Sequence, residues 1–304
     1  MQLLSGKPIA EKVLADTRQL IEVHQLTPLL AIVMVGSDPA SEIYVALKEK
    51  AARLVGVRCE KYILPLTSET KTIQALIRKL NNRSDIHGII VQLPLPETFD
   101  TDQIIATIVP EKDADGFHPE TVADFLALRT SVPPVFPRAI LALLESAGVI
   151  LRGKRALIFA NSNLFSRVME RALESIGVTG ETCLPSGESE IKKQAVEYDI
   201  VISAKGDPNF LTGDMVRSGA IVIDGGITRV EEKVLSDTEQ VTFEPVDGFI
   251  TPVPGGVGPV TVAYLISRVA ELAFDEQKRK SILLVCGHCV SRKNSKDQYS
   301  DSLL

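Results

Sequence analysis

Leu30-Ala-Ile-Val-Met-Val35-Gly36-Ser-Asp38-Pro39-Ala-Ser-Glu-Ile-Tyr44-Val-Ala-Leu-Lys48 holds a strand, a turn and the start of a helix in one short stretch. The apolar run Leu30–Val35 reads as a buried strand. Asp38 suits an N-cap, because its side-chain oxygen can accept from a backbone N–H of the first turn, and Pro39 suits the first helical position. A helix therefore begins directly after the strand. Tyr44 and Lys48, four residues apart, share one face of it. An aromatic ring beside an amine, at the C-terminal end of a strand, suits holding a flat substrate and moving a proton. Taken alone, the pair reads more simply as a surface lysine beside a half-buried tyrosine.

The same alternation extends outward. Strands are expected at Leu30–Val35, Cys59–Leu64 and Gly88–Leu93, with helices at Ile9–Glu22, Pro39–Leu54, Ser68–Leu80 and Thr101–Ile108. Such a pattern predicts a parallel α/β sheet. The proline-rich stretch Val132-Pro-Pro-Val-Phe-Pro137 interrupts it and marks a hinge. A helix at Arg138–Ser146, closed by Gly148, opens a second series with strands at Arg155–Ala160, Glu181–Leu184, Asp199–Ala204 and Ala220–Asp224. That spacing suits a Rossmann-type mononucleotide half and somewhat more. The tail after Asp275, polar and basic apart from Ile282–Val285, is expected to be loosely ordered.

Bulk properties narrow the function classes. A chain of 304 residues has room for two domains of ordinary size. With 45% hydrophobic and 24% charged residues it reads as soluble and globular. A net charge of -6 disfavours nucleic acid and anionic membranes as partners. Neither a signal peptide nor an apolar run near the ~20 residues of a membrane span is evident. Four cysteines make no disulfide framework and fit a reducing compartment, so a cytoplasmic location is expected.

Three further segments join the Tyr44–Lys48 stretch: Val91-Gln-Leu-Pro-Leu-Pro96, Lys112-Asp-Ala-Asp-Gly-Phe-His118 and Thr251-Pro-Val-Pro-Gly-Gly-Val-Gly-Pro-Val-Thr261. In this order and at these distances they resemble the methylenetetrahydrofolate dehydrogenase/methenyltetrahydrofolate cyclohydrolase family of one-carbon folate metabolism. The resemblance runs from Leu4-Ser-Gly-Lys-Pro-Ile-Ala10 to about Ala273. It implies an N-terminal α/β folate-binding catalytic domain at 1–135, completed by a returning helix within 255–275, and a Rossmann-type NAD(P)-binding domain at 136–254. Residues 276–304 form the tail. A homodimer through the cofactor domains is also implied.

By that resemblance Lys48 is the central catalytic group. Moving protons near neutral pH requires an amine with a lowered pKa, and burial against apolar walls supplies that. Gln92 corresponds to the glutamine that orients the lysine; a neutral amide suits, since a carboxylate would hold the lysine charged. Asp115 matches the aspartate that takes the donor edge of the pterin ring, where a carboxylate can accept two parallel N–H bonds. Tyr44 would stack on the folate, and Pro254, Gly255 and Gly256 would line its approach. The substrate is thus a tetrahydrofolate derivative.

The cofactor loop departs from the family's Gly-x-Ser-x-x-Val-Gly-x-Pro. This chain reads Ala160-Asn-Ser-Asn-Leu-Phe-Ser166-Arg-Val168, keeping Ser162 but losing both glycines and the proline. A Cβ where φ must be positive, or where phosphate must come close, costs on the order of 1 kcal/mol or more. Phe136, in Val135-Phe-Pro137, stands where the family has a small hydroxyl, and Leu184-Pro-Ser-Gly187 keeps only Ser186 of the usual pair near the ribose. No acidic residue ends that strand, while Arg167, Lys192 and Lys193 could meet a 2′-phosphate, which favours NADP over NAD. The nucleotide contacts implied are Asn161, Ser162, Arg167, Ser186, Ile227, Gly258 and Thr261.

Two readings follow. In the first the chain hydrolyses 5,10-methenyltetrahydrofolate to 10-formyltetrahydrofolate and, if the altered loop still works, oxidises 5,10-methylenetetrahydrofolate with NADP+. Hydrolysis needs no nucleotide, so it is the safer half. In the alternative the chain is a non-catalytic folate-binding or regulatory paralogue, which the loop favours and Lys48, Gln92 and Asp115 oppose. Cys286-Gly-His-Cys289 supplies at most three neighbouring ligands where structural zinc usually takes four, so no metal is expected. Cys59 and Cys183, on expected strands, read as core thiols.

Overall fold

The computed structural model describes residues 1–183, 194–230 and 233–294. Two parallel sheets organise them. The smaller has strand order β3-β2-β4, formed by β2 (Leu29–Val35), β3 (Arg58–Leu64) and β4 (Gly88–Val91). Leu30 of β2 lies opposite Cys59 on one side and Gly88 on the other. As the central strand of a sheet covered on both faces, β2 is an unbroken apolar run rather than an alternating one.

Its two faces part by the strand's period of two. Leu30, Ile32 and Met34 pack under α1 (Lys7–His24), α2 (Pro39–Val55) and the C-terminal helix α8 (Val257–Asn294), through Ile21, Val45, Leu265 and Ile266. Leu29, Ala31 and Val33 pack under α3 (Thr70–Asn81) and the short α4 (Thr101–Ile105) through Ile73, Ile77 and Ile104.

The larger sheet has order β1-β11-β8-β7-β5-β6, all parallel. It comprises β1 (Gln2–Leu3), β5 (Arg155–Ala160), β6 (Thr179–Cys183), β7 (Ile200–Ala204), β8 (Ala220–Asp224) and β11 (Gly248–Ile250). Ala156, Ile158 and Ala160 face α6 (Val135–Ser146) and α7 (Asn163–Ser175), while Leu157 and Phe159 face Tyr198, Leu211 and Phe243. A hairpin of β9 (Ile227–Val230) and β10 (Lys233–Ser236) follows β8.

Several expectations need correction. Residues 2–3 belong to the cofactor-type sheet, not the N-terminal domain: β1 pairs with β11, and the Met1 ammonium donates to Phe243 O at 2.8 Å. The second-domain helix begins at Val135 rather than Arg138, because Pro137 falls in its first turn, where a missing N–H breaks nothing. Helix α5 (Pro119–Leu126), capped by the His118 ring accepting from Glu120 N, was not expected, nor was the β9–β10 hairpin.

The tail also differs from expectation. Helix α8 runs unbroken from Val257 to Asn294, and between Asp275 and Asn294 there is no proline and only Gly287 to oppose it. Within it Val257–Ser281 is long and apolar enough, at mean hydropathy 1.4, to cross a membrane by length and composition, contrary to the reading of the sequence. Of that window 56% is buried inside the protein, as a core helix requires.

The two sheets are tied where the chain ends cross. Gly6 N donates to Gly255 O at 2.8 Å, and a Cβ on Gly6 would lie 2.0 Å from Gly256 O and 2.8 Å from a Val260 methyl. Gly6→Ala is therefore expected to lower unfolding free energy by about 1–3 kcal/mol in urea titrations; an unchanged midpoint would show that this crossing yields without strain.

Candidate active site

The Asp38 carboxylate accepts from Ser41 N at 2.8 Å and starts α2 as its sequence indicates. Tyr44 and Lys48 follow on that helix, both half-buried. Gln92 comes immediately after β4 and stays in line with it, since its backbone N–H donates to Val33 O at 2.8 Å. Strand β4 thus ends at Val91, two residues earlier than expected.

Gln92 is 9% exposed, and its Oε1 accepts from Lys48 Nζ at 2.9 Å while its Nε2 donates to Leu93 O at 2.6 Å. The second bond fixes which end of the amide meets the lysine. Burial pulls the Lys48 pKa below the ordinary lysine value, and the Asp115 charge opposes that pull. Burial also pushes the Asp115 carboxyl up, against the pull of Lys48 and with the help of Asp113. Both shifts favour an uncharged pair. Burial likewise keeps the Tyr44 phenol protonated to higher pH.

Asp113, which the reading of the sequence passed over, shapes the Asp115 loop. It is 2% exposed and accepts from Gly116 N at 2.9 Å and His118 N at 2.8 Å. Gly116 has φ +82°, and a Cβ there would meet the Pro134 Cα at 2.8 Å. Asp115 O accepts from Val135 N at 3.1 Å, joining the loop to the start of α6. The only advance signal was the Asp-x-Asp-Gly spacing, which suits a carboxylate folding its own turn.

A cavity of about 300 Å³ opens beside Gln92, between Ser37, Asp38 and Ser41 on one side and Leu66 and Pro94 on the other. Pro254, Gly255 and Gly256 lie on the loop from β11 to α8. Gly255 has φ +112°, and a Cβ on Gly256 would press on Pro252 O at 2.7 Å, so both positions need glycine.

The second candidate group lies at the C-terminal ends of β5, β7 and β8, where an open α/β sheet takes its ligand. Contrary to the strain expected of the loop, no residue of 160–168 has positive φ. Ser162 caps α7, its hydroxyl accepting from Phe165 N at 3.3 Å. Ser166, 3% exposed, turns its hydroxyl inward to Ser162 O at 3.1 Å. Phe165 meets Phe136 with ring centroids 5.6 Å apart, and Phe136 lies under Gly225, where a Cβ would come within 2.7 Å of it. The two rings are half-buried against the core and form a wall there.

Other nucleotide candidates are spread around this edge. Asn161 is exposed, with its Nδ2 donating to Lys205 O at 2.5 Å. Ile227 opens β9, 40% exposed. Gly258 stands in the first turn of α8, where a Cβ would meet nothing within 4 Å, so its bareness serves no internal packing. The Thr261 hydroxyl donates to Val257 O at 3.0 Å. Arg167 lines a cavity of about 560 Å³ with Phe117, Val122 and Leu164, between α5 and α7. Ser186, Lys192 and Lys193 lie outside the described residues, and the Cys286–Cys289 side chains do so too. Cys183 is buried, while Cys59 is half-buried with its thiol pushed up to about 11, chiefly by burial. An unstrained strand-to-helix turn with exposed Asn161 and Ser162, tied by Asn161 to Lys205 O beside Gly206, fits a dinucleotide.

Fold and site together define a two-domain α/β protein that sets a buried amine–amide–carboxylate site beside a dinucleotide-type sheet. The chain belongs to the tetrahydrofolate dehydrogenase/cyclohydrolase family: the model of that family's catalytic domain matches residues 4–115, and that of its NAD(P)-binding domain matches residues 134–277. It is 38% identical over 287 residues to a bifunctional protein FolD of Campylobacter curvus, covering 93% of this chain and 99% of the relative. To the bifunctional protein FolD of Lacticaseibacillus paracasei it is 39% identical over 274 residues, 89% and 96% of the two chains. The bifunctional FolD methylenetetrahydrofolate dehydrogenase/cyclohydrolase of Campylobacter jejuni superposes with a TM-score of 0.83 at 34% identity, covering 91% and 99%. The FolD of Trypanosoma brucei, solved with NADP cofactor and inhibitor, does so at 0.83 and 28%, covering 91% and 98%.

Beneath the second group, Asp224 is 1% exposed and its carboxyl is raised from 3.8 to about 6, chiefly by burial. Its folded value lies above the unfolded one, so its contribution to stability is full below about pH 4 and is lost as pH rises through about 6. The difference in unfolding free energy between wild type and Asp224→Asn should therefore change across that window and be flat outside it. A difference constant from pH 4 to 7 would refute the raised value.

Proposed function

We propose that this chain is a bifunctional enzyme of one-carbon folate metabolism, a methenyltetrahydrofolate cyclohydrolase and NADP-dependent methylenetetrahydrofolate dehydrogenase. The observation that carries the reading is the 2.9 Å bond from Lys48 Nζ to Gln92 Oε1, with the amine half-buried and its pKa lowered. An ordinary exposed lysine is almost wholly protonated at neutral pH and moves no protons there. Here burial lowers the pKa and eases loss of the proton, and the amide directs the nitrogen without holding it charged.

In the hydrolytic step water adds to the methenyl carbon of the substrate. Lys48 takes the proton that the attacking water loses and returns one to the ring nitrogen as the carbon–nitrogen bond opens. Asp115 holds the donor edge of the pterin, and Tyr44 supplies a flat apolar surface for it. NADP+, when bound, supplies the hydride acceptor for the oxidative step; Asn161, Ser162, Ile227, Gly258 and Thr261 would hold it. The bifunctional relatives at 38% and 39% identity and the NADP-bound Trypanosoma brucei enzyme support retention of that step. The absence of positive φ through 160–168 supports it too, since the side chains that replace glycine strain nothing.

We also propose a homodimer through the cofactor domains, supported by the family resemblance, and a cytoplasmic location, supported by the sparse cysteines. Neither nucleic acid nor a membrane is proposed as a partner, given the net charge of -6. Sedimentation equilibrium should return twice the 33.0 kDa chain mass, and a monomer would end the dimer proposal.

Decay of 5,10-methenyltetrahydrofolate without nucleotide should exceed the blank and fall at least about 100-fold in Lys48→Ala, as loss of a general acid–base group predicts. No loss above blank in folded wild type would sink the reading. Gln92→Glu places a carboxylate against the amine and favours the ammonium form. The rise of rate with pH should then move to higher pH, and a profile that stays put or moves lower would deny Lys48 the role of base.

A further inference from the structure

Asp237, directly after β10, has no exposed surface, yet nothing in the reaction above uses it. Its Oδ2 accepts from Lys205 N at 2.9 Å, from Gly206 N at 3.2 Å and from the Ser203 hydroxyl; its Oδ1 accepts from Asp207 N at 2.8 Å. One carboxylate therefore gathers three successive backbone amides of the turn after β7. A buried charge persists only when satisfied in this way.

The same side chain bears on the turn after β8. A Cβ on Gly226 would sit 1.9 Å from Asp237 Oδ2, so the carboxylate lies flush against that backbone. The next residue continues the tie, since Thr238 N and Oγ1 donate to Asp224 Oδ2 at 2.9 and 2.6 Å, and Asp224 Oδ1 accepts from Gly226 N at 3.2 Å. Asn161, at the end of β5, donates to Lys205 O in the turn that Asp237 holds. Three strand ends thus meet around Asp237 and its neighbour Thr238, at the edge where the nucleotide candidates lie.

We infer that Asp237 is a positioning residue for the nicotinamide nucleotide: it touches no ligand, but its carboxylate fixes the β7 and β8 turns in the shape that accepts one. The inference rests on the dehydrogenase reading above. It concerns the larger sheet alone, so the Lys48 site should be indifferent to it. Asparagine at 237 retains one acceptor oxygen and turns an amide N–H₂ toward backbone donors, which loosens the turn without changing side-chain volume.

NADP+ affinity measured by titration calorimetry should weaken at least about tenfold in Asp237→Asn, equivalent to about 1.4 kcal/mol. The KM for NADP+ should rise with it, while nucleotide-free hydrolysis of 5,10-methenyltetrahydrofolate keeps its wild-type rate. Ser203→Ala removes one donor to the carboxylate and leaves the amides, so it should weaken NADP+ binding less. A purely structural lesion would lower both activities together, and that result overturns the assignment. Wild-type affinity in Asp237→Asn also overturns it, and if that variant does not fold, unchanged affinity in Ser203→Ala does. Wild type that hydrolyses the substrate but binds no NADP+ would instead fell the dehydrogenase reading, and this inference with it.

Discussion

Gly6 against Gly255 and Gly256 is the contact on which the architecture depends. Just before it the chain leaves the larger sheet through β1, and just after it α1 enters the smaller domain. On the other strand of the crossing, β11 leaves the larger sheet and α8 enters the smaller domain. Both passages need bare backbone, because the Gly6 Cα faces Gly256 O at a distance that admits no Cβ. Neither domain is therefore a contiguous stretch of sequence, and the Pro254–Gly256 loop is held where the two sheets meet.

From that frame the chemistry reduces to a choice of partners for one amine. Burial disfavours an ammonium, and a neighbouring carboxylate favours it. Lys48 has both influences, but the group in hydrogen-bond contact with it is an amide, while Asp115 acts only through its field. Had the two exchanged places, the lysine would be locked in its charged form. Asp115 is kept in its place by Asp113, which spends its own carboxylate on two backbone amides.

Much of this was legible in the residues. The turn Gly36–Pro39 announces a strand-to-helix junction through capping chemistry that is local, and local chemistry survives folding unchanged. Lys48 on a helix, Gln92 at a strand end and Asp115 in a turn were singled out because each sits in a distinctive run that carries the family resemblance. What was not legible depended on distance along the chain. A two-residue strand such as β1 carries no period, and its partner lies more than two hundred residues away. The work of Asp237 is invisible in Leu235-Ser-Asp237-Thr because the amides it gathers belong to another strand. The loop at 160–168 misled for the opposite reason: the family's glycines at positions this chain fills with Ala160 and Ser166 suggested a need for positive φ, whereas Ser162 and Ser166 build an ordinary helix start.

The return of α8 has a consequence for the chain as it is made. Leu265, Ile266, Val269 and Ala270 fill the core beneath Leu30 and Ile32, so the first domain to be synthesised is among the last to be finished. While the ribosome adds the intervening sheet, that face of β2 has only α1 and α2 over it and lacks the cover of α8. Domains usually fold in the order they emerge; here the numbering and the order of completion run opposite ways. A nascent chain halted before Val257 would expose an apolar surface of the kind that chaperones bind.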